Sequence, residues 1–344
     1  MIRFLAILIF LVGQVAAQSF VQKLTAPVFY ELGVESGYQN NPLNLSELEI
    51  EKAASDSDYL DGIEYSSSNV LSLYGKLNVA PRLFGGRKTA ISLIAFQHHY
   101  ADIAKRSYQS VSLSVKQSLG QYRYLLLGYG ILPDLYLRNY NYRDPATQIL
   151  EREACSFGTE RFWLGFEHRL NKKNRLEYRF THRTEFYSAP FSAYDMSMFE
   201  GSISLSSRQI RSFPLQFELQ YGISDNDNDL DAKDRSYTYL NLRPSLSFKL
   251  PGDHKLAVSG RYDQRVYGSE ENSDPLHAGR YQDEVRFDLH FTPSLPGNYV
   301  IEPFLGYRER RVDSSDPVIA DLKSFQRYWF GVRIGFKSVI DMYL

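Results

Sequence analysis

Charged side chains recur at every second position in several segments of the sequence. Between Arg175 and Tyr187, arginine, glutamate and threonine occupy the odd positions, and leucine, tyrosine, phenylalanine and histidine occupy most of the even ones. Because successive side chains of a strand point to opposite faces, this period of two predicts a strand with one charged face and one apolar face. A charged face of this kind can pair arginine with carboxylates, or it can hold ions and polar solutes.

An acidic segment could bind a cation. Asp225, Asp227, Asp229 and Asp231 are spaced like the first oxygen ligands of a calcium loop. The sixth position of such a loop lacks its glycine, and Ser236 stands where the bidentate glutamate belongs. We therefore expect a solvated loop tip and no metal site, with cation binding as the weaker alternative.

His98, His99 and Asp102 form a histidine–carboxylate cluster near the end of a predicted strand. Hydrolysis would need a nucleophile beside a histidine that a third polar group orients. No hydrolase motif surrounds the cluster, and the sequence contains no phosphate-binding loop, dinucleotide fingerprint or zinc-ligand spacing. We expect no catalytic residues, no cofactor and no enzymatic activity; a membrane-embedded hydrolase is the weaker alternative.

The alternating segments amount to about fourteen strands of roughly ten to fourteen residues. Short turns such as 84–88 and 171–174 alternate with longer connections, notably Asn40–Asn69, which has helical potential around 45–54, and Leu137–Cys155. Short turns at one end, long loops at the other and an even strand count predict an all-β fold. The predicted fold is a closed antiparallel transmembrane β-barrel with short periplasmic turns and longer extracellular loops. A secreted soluble sandwich usually has shorter strands and no such division between its ends.

The N-terminal residues predict export. Arg3, the apolar run Phe4–Val12 and the small residues Val15–Ala17 fit a signal peptide over residues 1–17. We expect a periplasmic lead-in over 18–26 and the barrel over 27–344, with both termini periplasmic. No later apolar run approaches the roughly 18 residues that a transmembrane helix needs. The single Cys155, which we place in a loop, allows no internal disulfide, and the net charge of −1 argues against nucleic acid as a partner.

The mature chain resembles Gram-negative bacterial outer-membrane β-barrel proteins of the porin-like architectural class. Residues Gly331–Phe336 resemble the Gly-x-x-apolar-x-apolar signal that the barrel assembly machinery recognises, although Ser338–Leu344 extends beyond it and the last residue is leucine. The resemblance implies a place in the cell outer membrane. It also implies contact with outer-membrane lipid and lipopolysaccharide, and assembly by that machinery.

In a membrane barrel the charged faces must turn to the lumen, because arginine or lysine facing lipid costs roughly 2–4 kcal/mol near the midplane. The predicted pore-lining residues are Glu31, Glu35, Lys76, Lys116, Arg161, Glu167, Arg175, Glu177, Arg179, Arg183, Glu218, Arg243, Arg261, Asp263, Arg286, Asp288, Arg308 and Arg333. Aromatic residues near strand ends predict girdles at the two membrane interfaces: Tyr30, Tyr38, Tyr122, Tyr178, Phe186, Tyr187, Tyr262, Tyr267, Tyr281, Tyr299, Tyr307 and Tyr328.

Two interpretations of the charged lumen remain open. Arginine and glutamate can pair across neighbouring strands and fill a wetted interior, or the arginine excess on the later strands can form a path for anionic solutes. We expect a porin-like channel for passive passage of small polar, and in the second interpretation anionic, solutes. Paired charges and the two long loops would narrow it. The alternative is a non-conducting surface or structural barrel that acts through its loops.

Overall fold

The computed structural model describes residues 26–56, 59–60, 63, 66–143, 148–208, 213–226, 234–269, 276–314 and 316–340. The predicted signal peptide and all but one residue of the lead-in lie outside these ranges. Fourteen antiparallel strands follow one another around a closed barrel, and β1 pairs with β14 to complete it. The predicted fold class and strand number are confirmed.

The strands β1 to β14 are Val28–Gln39, Ser68–Val79, Thr89–Tyr100, Tyr108–Gly120, Arg123–Arg143, Leu150–Arg169, Asn174–Tyr187, Met196–Ser207, Leu215–Asn226, Tyr237–Lys249, Lys255–Tyr267, Tyr281–Thr292, Tyr299–Asp313 and Phe325–Ile340. The described connections contain the helices α1, Glu47–Ser55, and α2, Pro317–Lys323. Short 3-10 helices span Phe84–Gly86, Ala104–Arg106, Ser192–Tyr194 and Pro251–Asp253. Among the described residues, no helix is long and apolar enough to cross a membrane.

The pleat separates an apolar outer face from a polar interior. Where β1 closes on β14, Val34 pairs with Ile334 on the outside, and the next pair, Glu35 with Arg333, lies on the inside. Large apolar side chains remain exposed on the outer face of the barrel, among them Leu32, Leu73, Leu93, Leu164, Phe180, Ile203, Leu219, Phe287, Leu305 and Phe330. In lipid this surface is solvated, and closure leaves no unpaired strand edge.

The two ends of the barrel differ in their connections. Tight turns such as that around Gly120–Tyr122 lie at the end that holds Val28 and Ile340, which we name the turn end. The closing strand reaches Ile340, four residues beyond the assembly-type signal, because 338–340 continue to pair with β1. The opposite end, which we name the loop end, carries the longer connections.

The prediction of a loop over Leu137–Cys155 was wrong. β5 and β6 pair as far as Arg143 and Leu150 and so form a hairpin that is longer than any other in the barrel. Asparagine and tyrosine alternate over 139–142 as they do in a strand, and register shifts near Leu135 and Arg138 change the direction of β5. Cys155 is therefore buried in β6, not placed in a loop.

Two apolar clusters lie at the loop end. Leu43, Leu45 and Leu60 of the connection between β1 and β2 (loop L1) pack with residues of β2, β3 and β5 and of the β3–β4 connection. The second cluster comprises Met196, Met198, Tyr237, Tyr239 and Tyr267. Tyr267 is 7% exposed and packs inside, and its parity on β11 places it on the inner face. Tyr187 has the parity of Arg183 on β7 and also lies on the inner face. The assignment of these two tyrosines to the interfacial girdle was therefore wrong.

Candidate functional site

The strand register places the eighteen predicted lining residues on the inner face of the wall. Glu31 pairs with Lys76 and Lys337, and Glu35 pairs with Arg333. The same parity continues around the barrel through Lys116, Arg161, Glu167, Arg175, Glu177, Arg179, Arg183, Glu218, Arg243, Arg261, Asp263, Arg286, Asp288 and Arg308.

Ion pairs join most of these side chains. The Arg333 guanidinium donates to Glu35 at 2.8 Å and to Glu302 at 2.9 Å, which bridges β1, β13 and β14. Across the barrel, Lys116 Nζ lies 2.7 Å from Glu167 and Arg175 lies 3.6 Å from the same carboxylate. Other pairs follow a single strand at positions i and i+2, where side chains share a face; they are Arg179–Glu177, Arg261–Asp263, Arg265–Asp263 and Arg286–Asp288.

A row of five arginines crosses five consecutive strands. Arg261 pairs in register with Arg286, Arg286 with Arg308, and Arg308 with Arg327. Arg243 occupies the matching position on β10, since Leu242 pairs with Tyr262. The row begins near the middle of β10 and ends close to the loop end of β14, so it climbs the wall obliquely.

The carboxylates of this arginine row lie behind the guanidinium groups. Arg243 is 41% exposed and Glu218 is 17% exposed; Arg286 is 39% exposed and Asp288 is 16% exposed. Asp263 and Glu284, which pair with other arginines of the row, are almost fully buried. The surface that the row presents to the lumen is therefore more positive than a count of charges suggests.

Two cavities adjoin the row. The lower cavity has a volume of about 260 Å³ and contains Arg243, Arg261 and Arg286 in its lining. The upper cavity has a volume of about 290 Å³ and is lined by Arg286, Arg308 and Arg327 together with Arg106 from the β3–β4 connection. Arg286 belongs to both, so the arginine row connects them.

Loop L1 folds over the loop end of the barrel. Ser46 caps α1 through a capping box with Glu49, and Glu49 also forms an ion pair with Arg138 of β5. Asn44 accepts a hydrogen bond from Arg327 at 3.3 Å, and the Asn41 amide donates to the Gln326 carbonyl at 3.1 Å. These contacts tie L1 to opposite parts of the wall and narrow the entrance.

Loop L1 and α2 together form a cap over the loop end, since α1 and α2 contact each other. α2 contributes Lys323, whose side chain is half-buried. Burial, followed by the nearby positive charge of Arg138, lowers the pKa of Lys323 to about 8. The Glu49 carboxylate opposes this shift. Burial also raises the pKa of Tyr59 in L1, with Glu49 as the next cause.

Sequence reasoning missed Arg327, Arg106 and Arg138. Arg327 lies an even number of residues from Arg333 on the last strand and so faces the same side. Alternation counted from Arg333 would therefore have predicted Arg327 as a lining residue. Arg138 was missed because its segment was taken as a loop. Arg106 lies in a 3-10 turn, where periodicity carries no signal.

The other two candidates do not assemble into sites. His98 faces the interior, where its Nδ1 lies 2.8 Å from the Ser72 hydroxyl, and His99 faces outward toward Ser107. Asp102 instead accepts a hydrogen bond from the backbone of Asn69 at 3.1 Å. Asp227, Asp229 and Asp231 lie outside the described residues. In the part of the chain that is described, no group of three or more His, Cys, Asp or Glu side chains is placed to hold a metal ion.

Comparisons with known proteins find likeness in shape and not in sequence. No family model matches the chain, and no curated protein matches it. The anion-selective porin from Comamonas acidovorans is 12% identical with a TM-score of 0.42, over 91% of this chain and 98% of the porin. OmpTdeltaL8, a loop deletion mutant of the Vibrio cholerae outer membrane protein OmpT, is 8% identical with a TM-score of 0.47, over 91% of this chain and 100% of OmpTdeltaL8. The Pseudomonas aeruginosa outer membrane protein opdK is 11% identical with a TM-score of 0.42, over 90% of this chain and 99% of opdK.

The architecture of this chain is established by its own strand pairing. The ladder closes without an edge, the outer face exposes apolar side chains, and ion pairs line the interior. Such a surface is stable in lipid and unstable in water. The protein is a β-barrel of the outer-membrane type, located in the outer membrane.

Proposed function

We propose that the barrel is a porin-like channel for passive passage of small polar solutes, with a preference for anions. The observation that supports this proposal is the arginine row Arg243–Arg261–Arg286–Arg308–Arg327, in which the carboxylate partners of the first four arginines lie behind the guanidinium groups. Guanidinium groups that line a narrow, partly desolvated passage attract anions and repel cations.

The proposed path follows the row obliquely from the lower cavity to the upper one. Loop L1 and the β5–β6 hairpin narrow the path at the loop end of the barrel. Ion-paired side chains of the opposite wall occupy the other side of the lumen. The proposed lining thus comprises the eighteen residues of the charged face together with Arg106 and Arg327. Outer-membrane lipid and lipopolysaccharide would contact the apolar face, and the barrel assembly machinery would insert the chain.

Single-channel recording in a planar bilayer tests the proposal. We expect discrete conductance steps, and a reversal potential in a salt gradient that shows anion preference. Arg286→Glu is expected to reduce or invert that preference, since it reverses a charge shared by both cavities. Arg179→Glu is the matched control, because Arg179 is an equally exposed, ion-paired arginine on the opposite wall.

The recordings also separate the alternatives. A correctly folded, heat-modifiable barrel without conductance would contradict the channel and favour a non-conducting barrel that acts through its loops. Equal shifts of the reversal potential in the two variants would contradict the special role of the row. Phospholipid or lipid A hydrolysis that disappears in His98→Ala would instead favour the hydrolase, since His98 contacts Ser72 inside the barrel.

A further inference from the structure

We propose that the upper cavity is a saturable binding site for a small dianion, such as a phosphate monoester or a short dicarboxylate. The inference deepens the proposed function, since it assigns a ligand class to the loop end of the arginine row. It differs from general anion preference in that it requires a defined site with measurable affinity.

Four arginines meet at the upper cavity from separate parts of the chain. Arg286, Arg308 and Arg327 occupy adjacent register positions on β12, β13 and β14. Arg106 approaches them from the β3–β4 connection across the cavity. Like charges directly opposite each other on neighbouring strands are destabilising. Negative charge between the four arginines would therefore stabilise this arrangement.

The carboxylates of the wall neutralise only some of this charge. Arg286 pairs with Asp288 at 2.8 Å and Arg308 with Glu284 at 2.7 Å. Glu35 also lines the cavity, and Arg333 neutralises it at 2.8 Å.

Arg106 and Arg327 differ from the other arginines of the cavity. Among the residues that the structure describes, no carboxylate lies within salt-bridge distance of either. Arg327 donates only to the neutral side chain of Asn44, and Arg106 to the backbone carbonyl of Tyr136. These two arginines thus have no carboxylate partner in the wall, and the two charges of a dianion would balance theirs.

Unused hydrogen-bond donors support the same conclusion. Arg106 is 7% exposed, and its Nε has no partner; the Nε atoms of Arg308 and Arg327 are buried and also without partners. A buried donor without a partner costs roughly 1–3 kcal/mol, and more when it is charged. A phosphate or a carboxylate in the cavity would reach the parts of these guanidinium groups that line it, not the buried Nε atoms, and would form short, charge-assisted bonds there.

The remaining lining limits the ligand to a small molecule. The cavity volume of about 290 Å³ suits a small ligand. Tyr100, Tyr108 and Trp329 form the less polar part of the lining, and the guanidinium groups of Arg286 and Arg327 lie 4.9 and 5.0 Å from the Trp329 ring. These contacts hold the two arginines in place, so the site is largely preformed.

Isothermal titration calorimetry of the refolded protein in uncharged detergent tests this site. The probes are methyl phosphate, succinate and chloride at constant ionic strength. We expect one saturable site for at least one dianion and none for chloride. Arg327→Met is expected to weaken binding by at least about tenfold, because one charge-assisted contact is lost. Arg106→Met should weaken it similarly, and Arg82→Met, in the exposed β2–β3 turn at the turn end, should leave it unchanged.

Methyl phosphate adds a pH test, since a phosphate monoester loses its second proton near pH 6. Methyl phosphate should bind more tightly at pH 7.5 than at pH 5. Comparison of methyl phosphate with succinate distinguishes a phosphate site from a dicarboxylate site. Absence of saturable binding of both dianions to folded protein would overturn the inference, as would equal affinity for chloride or unchanged binding in both arginine variants. Calorimetry does not depend on conductance, so a conducting barrel without the site, or a closed barrel with it, would be recognised.

Discussion

At the scale of single residues, the interior is organised by how far each charge reaches into the lumen. Aspartate and glutamate have short side chains and lie against the wall, and arginine extends beyond them while remaining ion-paired. The planar guanidinium group can bond a carboxylate with one edge and still present further N–H donors. Interior pairing and an anion path, which we treated as alternatives from the sequence, are therefore compatible in one arrangement.

Lys323 is the residue whose protonation should control the cap. Its pKa is lowered from 10.5 to about 8 when α2 is docked, so the docked state disfavours the proton. As the pH falls from about 10.5 towards 8, an undocked lysine binds a proton before a docked one. The cost to docking grows over this range and is complete below about pH 8. Docking of the cap is therefore weakest near neutral pH and strengthens as the pH rises.

Electron–electron distance measurements between spin labels at Ser55, on α1, and Lys88, at the turn end, test this prediction in a Cys155→Ala background. We expect the distance distribution to narrow from pH 7.5 to pH 9.5, because α2 and α1 contact each other. Tyr59 does not interfere, since its pKa is raised above 10. Lys323→Met should remove the pH dependence; a distribution that changes equally in that variant would contradict the role of Lys323.

At the scale of elements, α1 is the part of L1 that the rest of the loop depends on. The capping box of Ser46 and Glu49 begins the helix, and its residues Glu47 and Glu49 place negative charge in the first turn. Ile50 and Ala53 pack against the apolar cluster below it. Glu49 has a second role, since its carboxylate neutralises the charge of Arg138 on β5.

Substitutions in α1 should separate helix capping from docking. Glutamine can keep the capping bond of residue 49 but leaves Arg138 buried without its counter-charge, so Glu49→Gln should weaken docking by about 3 kcal/mol. Ser46→Ala should cost about 1 kcal/mol through the lost cap. Hydrogen exchange of the α1 amides measures both effects. Glu51→Gln, on the exposed side of the helix, is the control, and an equal effect there would contradict the prediction.

At the scale of the whole molecule, stability comes from a closed ladder whose two faces meet different solvents. Every strand pairs with two neighbours, so the backbone groups in the membrane are satisfied within the barrel. Lipid tails solvate the apolar outer face, whereas contact of this face with water would be unfavourable. The position of a side chain on the pleat therefore decides whether a charge is tolerated.

Adjacent residues of β3 provide a direct test. Leu93 is exposed on the outer face near the middle of the strand, and Ser92 lies inside between Asn78 and Ser114. Leu93→Arg should destabilise the barrel by roughly 2–4 kcal/mol, and Ser92→Arg by much less, because an interior arginine remains in a polar surrounding. Denaturant unfolding in lipid vesicles measures the difference. Equal destabilisation would contradict the assignment of the two faces.

The sequence by itself determined the number of strands, the charged and apolar faces of most of them and the closure of the barrel. Alternation over each strand is a local property, and arginine cannot face lipid without a large cost, so the parity of Glu35, Arg286 or Arg333 follows from sequence position. The helical potential around 45–54 was likewise readable, since the capping box is local.

Only the tertiary structure decided which charges meet. The register between strands brings Arg261, Arg286, Arg308 and Arg327 into one row, and no local pattern encodes that register. Arg106 joins them from a turn, and L1 reaches its partner Arg138 across the loop end. These contacts connect residues that are far apart in sequence. They depend on barrel closure and on how the loops pack, and for that reason the cavity and its unpaired arginines could not be derived from the chain alone.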